Sequence, residues 1–199
     1  MSVFNLNIQN ESTGNKIVAG LERLSHVFKV LLWEKAKEHG LSPVQIQIMI
    51  FVQYHSNEKN TVSYLAKEFS ITKPTVSDAV KILEQKKLLE KVTDAADSRS
   101  YSLHLTESGK KIVAEAEDFA NPVDRYVNGI SIADQEVLWA AISGLITTLN
   151  HEGIIKVQRA CKNCRHLTIN DGNYFCGLLK QTLAVQDLRI DCQEFSEAV

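Results

Sequence analysis

The stretch from 61 to 109 constrains the fold of this chain more than any other part of it. Two short helical patterns, a tight turn and a polar hairpin follow one another there. The pattern over 61–69 places these apolar side chains on one helical face: Val62, Leu65, Ala66 and Phe69. The pattern over 72–83 starts with the capping hydroxyl of Thr72 and with Pro74, and its apolar face is Val76, Ala79, Val80 and Leu83. This order predicts a helix-turn-helix.

The opposite face of the second helix carries short hydrogen-bonding groups and charges: Lys73, Thr75, Ser77, Asp78 and Lys81. Groups of this kind can meet base edges and phosphates when a helix enters the major groove. We therefore expect contacts with double-stranded DNA from four members of the set, Lys73, Thr75, Ser77 and Lys81.

A polar hairpin follows the second helix. Two short strands, 88–92 and 100–105, flank the polar loop 93–99. Arg99 is expected near the tip of this wing, where a guanidinium can enter a narrow minor groove. Thr106 is expected to cap the next helix.

Several signatures of this region occur in the order found in a known family. The chain resembles the winged helix-turn-helix of MarR-type transcriptional regulators in three strings: Leu65-Ala66 through Leu83-Glu84, Asp97-x-Arg99, and Leu103-x-Leu105-Thr106-x-x-Gly109. Lys87 stands where that family usually has a glycine. The resemblance covers residues 15–150. It implies a sequence-specific regulator, expected to be a repressor, with triangular dimers joined by their first and last helices and a small-molecule effector bound beside those helices.

Charge does not decide between DNA binding and a different role for the same fold. Between 61 and 105, seven lysines and arginines face six carboxylates, and the whole chain has a net charge of -2. The basic excess typical of many DNA-binding proteins is absent, so binding depends on how the cations are arranged. The alternative is a winged-helix scaffold or protein-interaction module.

The terminal helices carry more apolar surface than a small winged domain covers alone. A first helix is predicted over 16–38, a capping box at Ser42 opens the second, and Ser131 opens the last. The last helix has a narrow seam formed by Leu138, Ile142, Leu145 and Leu149. The first helix has a stripe formed by Ile17, Leu21, Leu24, Phe28, Leu31 and Leu32. We therefore expect a homodimer formed by the N- and C-terminal helices.

Length and composition limit the remaining choices. At 199 residues and 44% hydrophobic content, the chain suits one ordinary core with an appendage. We expect a mainly α fold with a small β-wing, in a winged-helix domain over 1–155 and a cysteine-rich module over 156–199. No apolar run approaches the roughly 20 residues that span a bilayer, and the N-terminus lacks a signal-peptide pattern. We expect a cytoplasmic protein without a membrane partner, and neither a phosphate loop nor a nucleophile motif suggests an enzyme.

All four cysteines lie in the C-terminal module, at Cys161, Cys164, Cys176 and Cys192. Four thiolates suit Zn²⁺ or an iron-sulfur cluster. A segment with such a small hydrophobic core needs additional stabilisation, which metal binding can supply. Zinc is the first choice because it needs no assembly apparatus, and an iron-sulfur cluster fits the same ligands. A helix over 177–188 is expected to favour the Cys176 thiolate with its positive end. The competing interpretation is four unrelated reduced thiols.

A metal centre so close to the last helix suggests a regulatory role. We expect the regulator to respond to a small ligand, a metal or a redox change. Four basic residues near the cysteines can offset thiolate charge: Arg159, Lys162, Arg165 and Arg189. In the alternative function, the winged fold is a scaffold and an iron-sulfur centre carries electrons.

Overall fold

Seven α-helices and two small antiparallel sheets make up the described part of the chain. The computed structural model describes residues 2–93, 101–170 and 172–197. In chain order the elements are α1 (Thr13–Glu38), α2 (Pro43–Tyr54), α3 (Val62–Glu68), α4 (Lys73–Gln85), β1 (Leu89–Thr93), β2 (Tyr101–Leu105), α5 (Glu107–Ala116), α6 (Asn121–Gly129), α7 (Ile132–His151), β3 (Leu167–Asn170), β4 (Asn173–Cys176) and β5 (Gln181–Leu183). The prediction of a mainly α fold with a small β-wing is confirmed.

Side-chain caps define where the first two helices begin. The Ser12 hydroxyl accepts a hydrogen bond from the backbone N–H of Asn15, so α1 begins slightly earlier than predicted. Ser42 and Gln45 form the predicted capping box at the start of α2. Between the two helices, Gly40 adopts a positive φ of 59°, which ends α1 without the steric cost that a Cβ would bring.

Helices α3 and α4 form the predicted helix-turn-helix. Thr61 caps α3 and Thr72 caps α4, each through its hydroxyl. The backbone N–H of Ile71 donates to the Ala66 carbonyl at 3.1 Å and closes the turn. The predicted apolar faces are buried or packed on the core: Val62, Leu65, Ala66, Phe69, Val76, Ala79, Val80 and Leu83.

The wing is the antiparallel pair β1 and β2. Leu89 pairs with Leu105, and Thr93 pairs with Tyr101 at the far end. The loop between the strands, residues 94–100, lies outside the described residues, and Arg99 lies there with it.

The helical segment after the wing is divided in two. The break between α5 and α6 is a 3₁₀ turn over Glu117–Ala120. Pro122 lies in the first turn of α6, where a missing N–H costs no helical hydrogen bond. Ser131 then caps α7 by accepting from the backbone N–H of Asp134.

The core lies where α2, α3, α4 and α5 meet the wing. Its largest fully buried side chains include Ile46, Ile48, Met49, Leu65 and Leu103. Much of α1 and α7 lies outside this core, and apolar side chains of both helices are exposed. No helix within the described ranges is long and apolar enough to cross a membrane.

The C-terminal module is a three-stranded antiparallel sheet with short connecting turns. Strand β4 pairs with β3 on one side and with β5 on the other. The expected helix over 177–188 is wrong, because β5 and a 3₁₀ turn over Val185–Asp187 occupy that segment. Leu183 and Leu188 are buried in the module.

Candidate nucleic-acid interface and cysteine cavity

The outer face of α4 carries all the side chains predicted to contact the major groove. Lys73, Thr75, Ser77 and Lys81 are exposed, while the opposite face of the same helix is buried in the core. The structure therefore leaves all four predicted side chains accessible on α4.

Local hydrogen bonding holds the start of α4. The Thr72 hydroxyl accepts from the backbone N–H of Thr75 at 3.3 Å, and the two threonine hydroxyls lie 2.8 Å apart. The Thr75 hydroxyl is therefore hydrogen-bonded to the residue that caps α4. Asp78 is also exposed on this helix, so an acidic group lies among the predicted contacts.

Charges on the wing partly neutralise one another. The Lys91 ammonium lies 2.7 Å from the Glu84 carboxylate and 5.2 Å from the centre of the Tyr101 ring. The hydrogen bond to Glu84 raises the pKa of Lys91. This ion pair connects β1 of the wing to the end of α4.

The four cysteines, far apart in sequence, line a single cavity of about 480 Å³. Cys161 begins a 3₁₀ turn over Cys161–Asn163, Cys164 follows that turn, Cys176 ends β4, and Cys192 precedes the last turn of the module. All four are half-buried, and none forms a disulfide. The structure thus brings together the four predicted metal ligands.

Backbone hydrogen bonds bring the two ends of the cysteine set together. The N–H of Cys161 donates to the Arg189 carbonyl at 3.0 Å, and the N–H of Cys192 donates to the Arg159 carbonyl at 3.1 Å. On the other side, the N–H of Gly177 donates to the His166 carbonyl at 2.8 Å. His166 also lines the cavity.

Arg189 contacts two of the four sulfur atoms. Its backbone N–H donates to the Cys161 sulfur at 3.2 Å, and its guanidinium lies 3.8 Å from the Cys192 sulfur. Burial raises the pKa of the Cys161 thiol, the Arg189 N–H lowers it, and the other three thiols raise it further. Among the residues the structure describes, no three His, Cys, Asp or Glu side chains are arranged to hold one metal ion.

Arg159 connects this module to the helix-turn-helix. Its side chain is only 6% exposed, and its guanidinium donates to the Glu68 carboxylate at 2.6 Å and the Asp191 carboxylate at 2.7 Å. It also donates to the Tyr64 hydroxyl at 2.9 Å. The guanidinium carbon lies 5.6 Å from the centre of the Phe51 ring, within range of a cation-π interaction. One arginine thus contacts α2, α3 and the cysteine module.

The charges around Arg159 stabilise one another. Burial alone lowers the pKa of Arg159, but the hydrogen bonds to Asp191 and Glu68 raise it above its ordinary value. Burial alone raises the pKa of Asp191, and the hydrogen bonds from Arg159 and His55 bring it below its ordinary value. Removing one member of such a half-buried set leaves a charge without its partner.

The module also contacts α7. Lys162 donates to the Ser143 hydroxyl at 3.0 Å, and the Trp139 indole donates to the Val185 carbonyl at 3.3 Å. On the other side, Lys59 reaches the Gln193 carbonyl at 3.5 Å. The boundary predicted at 155/156 stays a prediction, and these contacts cross it.

Sequence reasoning placed Arg159 and Lys162 near the cysteines as counter-charges for thiolates, but their side chains bind elsewhere. Arg159 binds Glu68, which is 91 residues away in sequence, and Lys162 binds α7. No local pattern marks such a pair, because its members meet only after the module folds back onto the winged domain. Of the predicted counter-charges, Arg189 does lie against two of the thiols.

The sequence model of the MarR family matches residues 39–100, from the end of α1 into the wing. Regulators of this family are non-enzymatic, in agreement with the expectation from the sequence.

Solved structures of MepR from Staphylococcus aureus share the fold of this chain. A MepR-DNA complex is 27% identical with a TM-score of 0.58, and covers 66% of this chain and 97% of MepR. MepR in a DNA-binding conformation is 25% identical with a TM-score of 0.58, and covers 67% of this chain and 98% of MepR. MepR described as a transcription regulator of the multidrug efflux pump MepA is 26% identical with a TM-score of 0.51, and covers 65% of this chain and 95% of MepR. Over the matched residues, the winged helix-turn-helix of this chain is similar to the MarR family, and it shares its fold with the MepR structures.

Proposed function

We propose that the chain is a sequence-specific DNA-binding transcription regulator that acts as a homodimer and a repressor. The observation that carries the proposal is the exposed polar face of α4, with Lys73 and Lys81 at its two ends. That face belongs to the second helix of a helix-turn-helix, the element that enters the major groove in proteins of this architecture. The MepR structures in DNA-bound and DNA-binding forms support the same function.

The dimer places two such helices in register with paired half-sites. Exposed apolar side chains on α1, among them Ile17, Leu24 and Phe28, and Leu145 on α7 support an interface formed by these helices. A dimer with two-fold symmetry reads an inverted repeat, with half-sites about one helical turn of DNA apart. We therefore expect the operator to be an inverted repeat.

Selection of duplexes from a random library, followed by gel-shift titration, tests this function. Lys81→Ala should weaken binding to all duplexes and lower the salt slope by about one, because a lysine on phosphate contributes charge without base preference. Ser77→Ala should lower the affinity for the selected duplex more than the affinity for an unrelated one if the hydroxyl contacts a base edge.

Variants with the same charge change elsewhere serve as controls. Lys16→Ala removes an exposed lysine from the start of α1 and should leave both affinity and salt slope unchanged.

Arg99→Ala should weaken DNA binding by about 1 to 3 kcal/mol if the guanidinium occupies the minor groove. Binding of all duplexes with equal affinity would contradict the proposal and favour the scaffold alternative.

The cysteine cavity supports a regulatory signal in addition to DNA binding. Its four thiols lie in a module that contacts α3 through Arg159 and α7 through Lys162. We propose a metal or redox signal at this cavity. A small-molecule effector is a second proposal, and it rests on the resemblance of the winged domain to its family.

A further inference from the structure

The cysteine cavity has room for a group larger than one ion. Four thiolates bound directly to Zn²⁺ lie about 2.3 Å from it, so a single zinc ion requires the four sulfur atoms to lie close together. Here the four cysteines, with other side chains, line a cavity of about 480 Å³, and among the described residues no three His, Cys, Asp or Glu side chains surround a single ion. A cluster of several iron and sulfide atoms would fit this arrangement, with each cysteine bound to a different iron.

The walls of the cavity suit such a cluster. Leucine side chains line it beside the thiols: Leu167, Leu178, Leu179 and Leu183. Leu183 is buried, whereas Leu178 and Leu179 are 44% and 48% exposed, so the cavity is open to solvent on one side. N–H groups directed at thiolate sulfur stabilise its negative charge. Arg189 supplies one backbone N–H to the Cys161 sulfur at 3.2 Å, with its guanidinium close to Cys192.

The same cysteines hold the backbone of Arg159. The N–H of Cys192 donates to the Arg159 carbonyl, Asp191 next to it accepts from the guanidinium, and Cys161 is two residues further along the chain. The guanidinium in turn holds Glu68 at the end of α3. A change in the spacing of the cysteines therefore moves the anchor of α3, which packs directly on the DNA-reading helix α4.

We propose that the cavity binds an iron-sulfur cluster of the four-iron type through Cys161, Cys164, Cys176 and Cys192, and that Arg159 couples cluster occupancy to DNA affinity. The four thiols lose their protons as the four cysteine-iron bonds form. The coupling part rests on the proposed DNA-binding function, and the cluster part does not.

The first experiment concerns the cluster alone. The full chain, purified without oxygen, should contain about four iron and four sulfide per chain and absorb broadly in the visible range. Cys176→Ser and Cys192→Ser should each lose most of the iron, the sulfide and the absorption. One zinc per chain without sulfide, or full iron content in both variants, would overturn the cluster.

The second experiment compares DNA affinity with and without the cluster, using the selected duplex as the probe. The two forms of the wild-type protein should differ by about five-fold or more, the usual range of coupling between sites. Arg159→Gln should keep the visible absorption and bring the two affinities within about two-fold of each other. Arg165→Gln removes an exposed arginine of the same module and should behave as the wild type does.

Two more variants guard against a simple folding defect. Glu68→Gln removes the charge from the same contact on the winged domain, and it should also reduce the coupling while keeping the cluster. Arg159→Lys keeps the positive charge but cannot form bidentate hydrogen bonds. It should therefore keep part of the coupling that Arg159→Gln loses. Equal affinity of the two wild-type forms overturns the coupling, whereas a bound cluster without any sequence preference overturns the DNA-binding function and leaves the cluster in place.

Discussion

Lys87 is a lysine in a backbone conformation that favours glycine. Its φ is 57°, and it is the position where MarR-type proteins usually have a glycine. The left-handed region costs a residue with a Cβ roughly 1 to 2 kcal/mol, partly offset because glycine is freer in the unfolded chain. Lys87→Gly should therefore raise the free energy of unfolding by about 0.5 to 1 kcal/mol, measured by urea denaturation at fixed protein concentration.

The neighbouring lysine provides a matched control. Lys86 has the same side chain and is also exposed, but its φ is -79°. Lys86→Gly should lower the free energy of unfolding by about 0.5 kcal/mol, because glycine brings only backbone entropy there. Equal effects of the two substitutions would show that loss of the lysine side chain, and not backbone strain, determines the result.

At the residue scale, the sequence predicted single roles best where the role depends on near neighbours. The capping hydroxyls of Ser42, Thr72 and Thr106 act within three residues and were recognised from spacing alone. The partners of Arg159 lie on α3 and near the end of the chain. Sequence spacing carries no information about such a contact, so the buried arginine could only be found in the structure.

At the scale of elements, Thr106 joins the wing to α5. Its hydroxyl donates to the Lys87 carbonyl at 2.7 Å and accepts from the Gly109 N–H at 3.1 Å. Thr106→Val keeps the shape but removes both bonds. It should lower the free energy of unfolding by about 1 to 2 kcal/mol.

Thr106→Ser keeps the hydroxyl and is the control for that change. It should stay within about 0.5 kcal/mol of the wild type in the same urea titration. A loss of equal size in the serine variant would assign the effect to packing of the threonine methyl group.

The elements of the winged domain were predicted well because their apolar periodicity agrees with their burial. Val76, Val80 and Leu83 fall on the helical face that the core covers. In the cysteine module the helix expected over 177–188 is wrong. Lys180 has a positive φ of 55° at the turn before β5, and pairing of β5 with β4 outweighed the local helical pattern.

At the scale of the whole molecule, the exposed apolar surface of the terminal helices calls for a partner. Large apolar side chains along α1 and α7 are one third to three quarters exposed, including Ile17 at 56% and Val137 at 72%. Exposed apolar surface on this scale is typical of an interface. The two stripes predicted from the sequence account for part of this surface: Ile17 and Leu145 are exposed, whereas Leu32 of the first stripe is buried in the core.

Leu145→Asp tests whether this surface forms the dimer. Leu145 is 43% exposed on α7, so an aspartate there is tolerated in the folded monomer. In a two-fold dimer the substitution buries two carboxylates without partners, and each should cost about 3 kcal/mol or more. Sedimentation at micromolar concentration should then show a folded monomer. Val92→Asp, at the same 43% exposure on the wing, should remain a dimer, and a dimer of the Leu145 variant would exclude α7 from the interface.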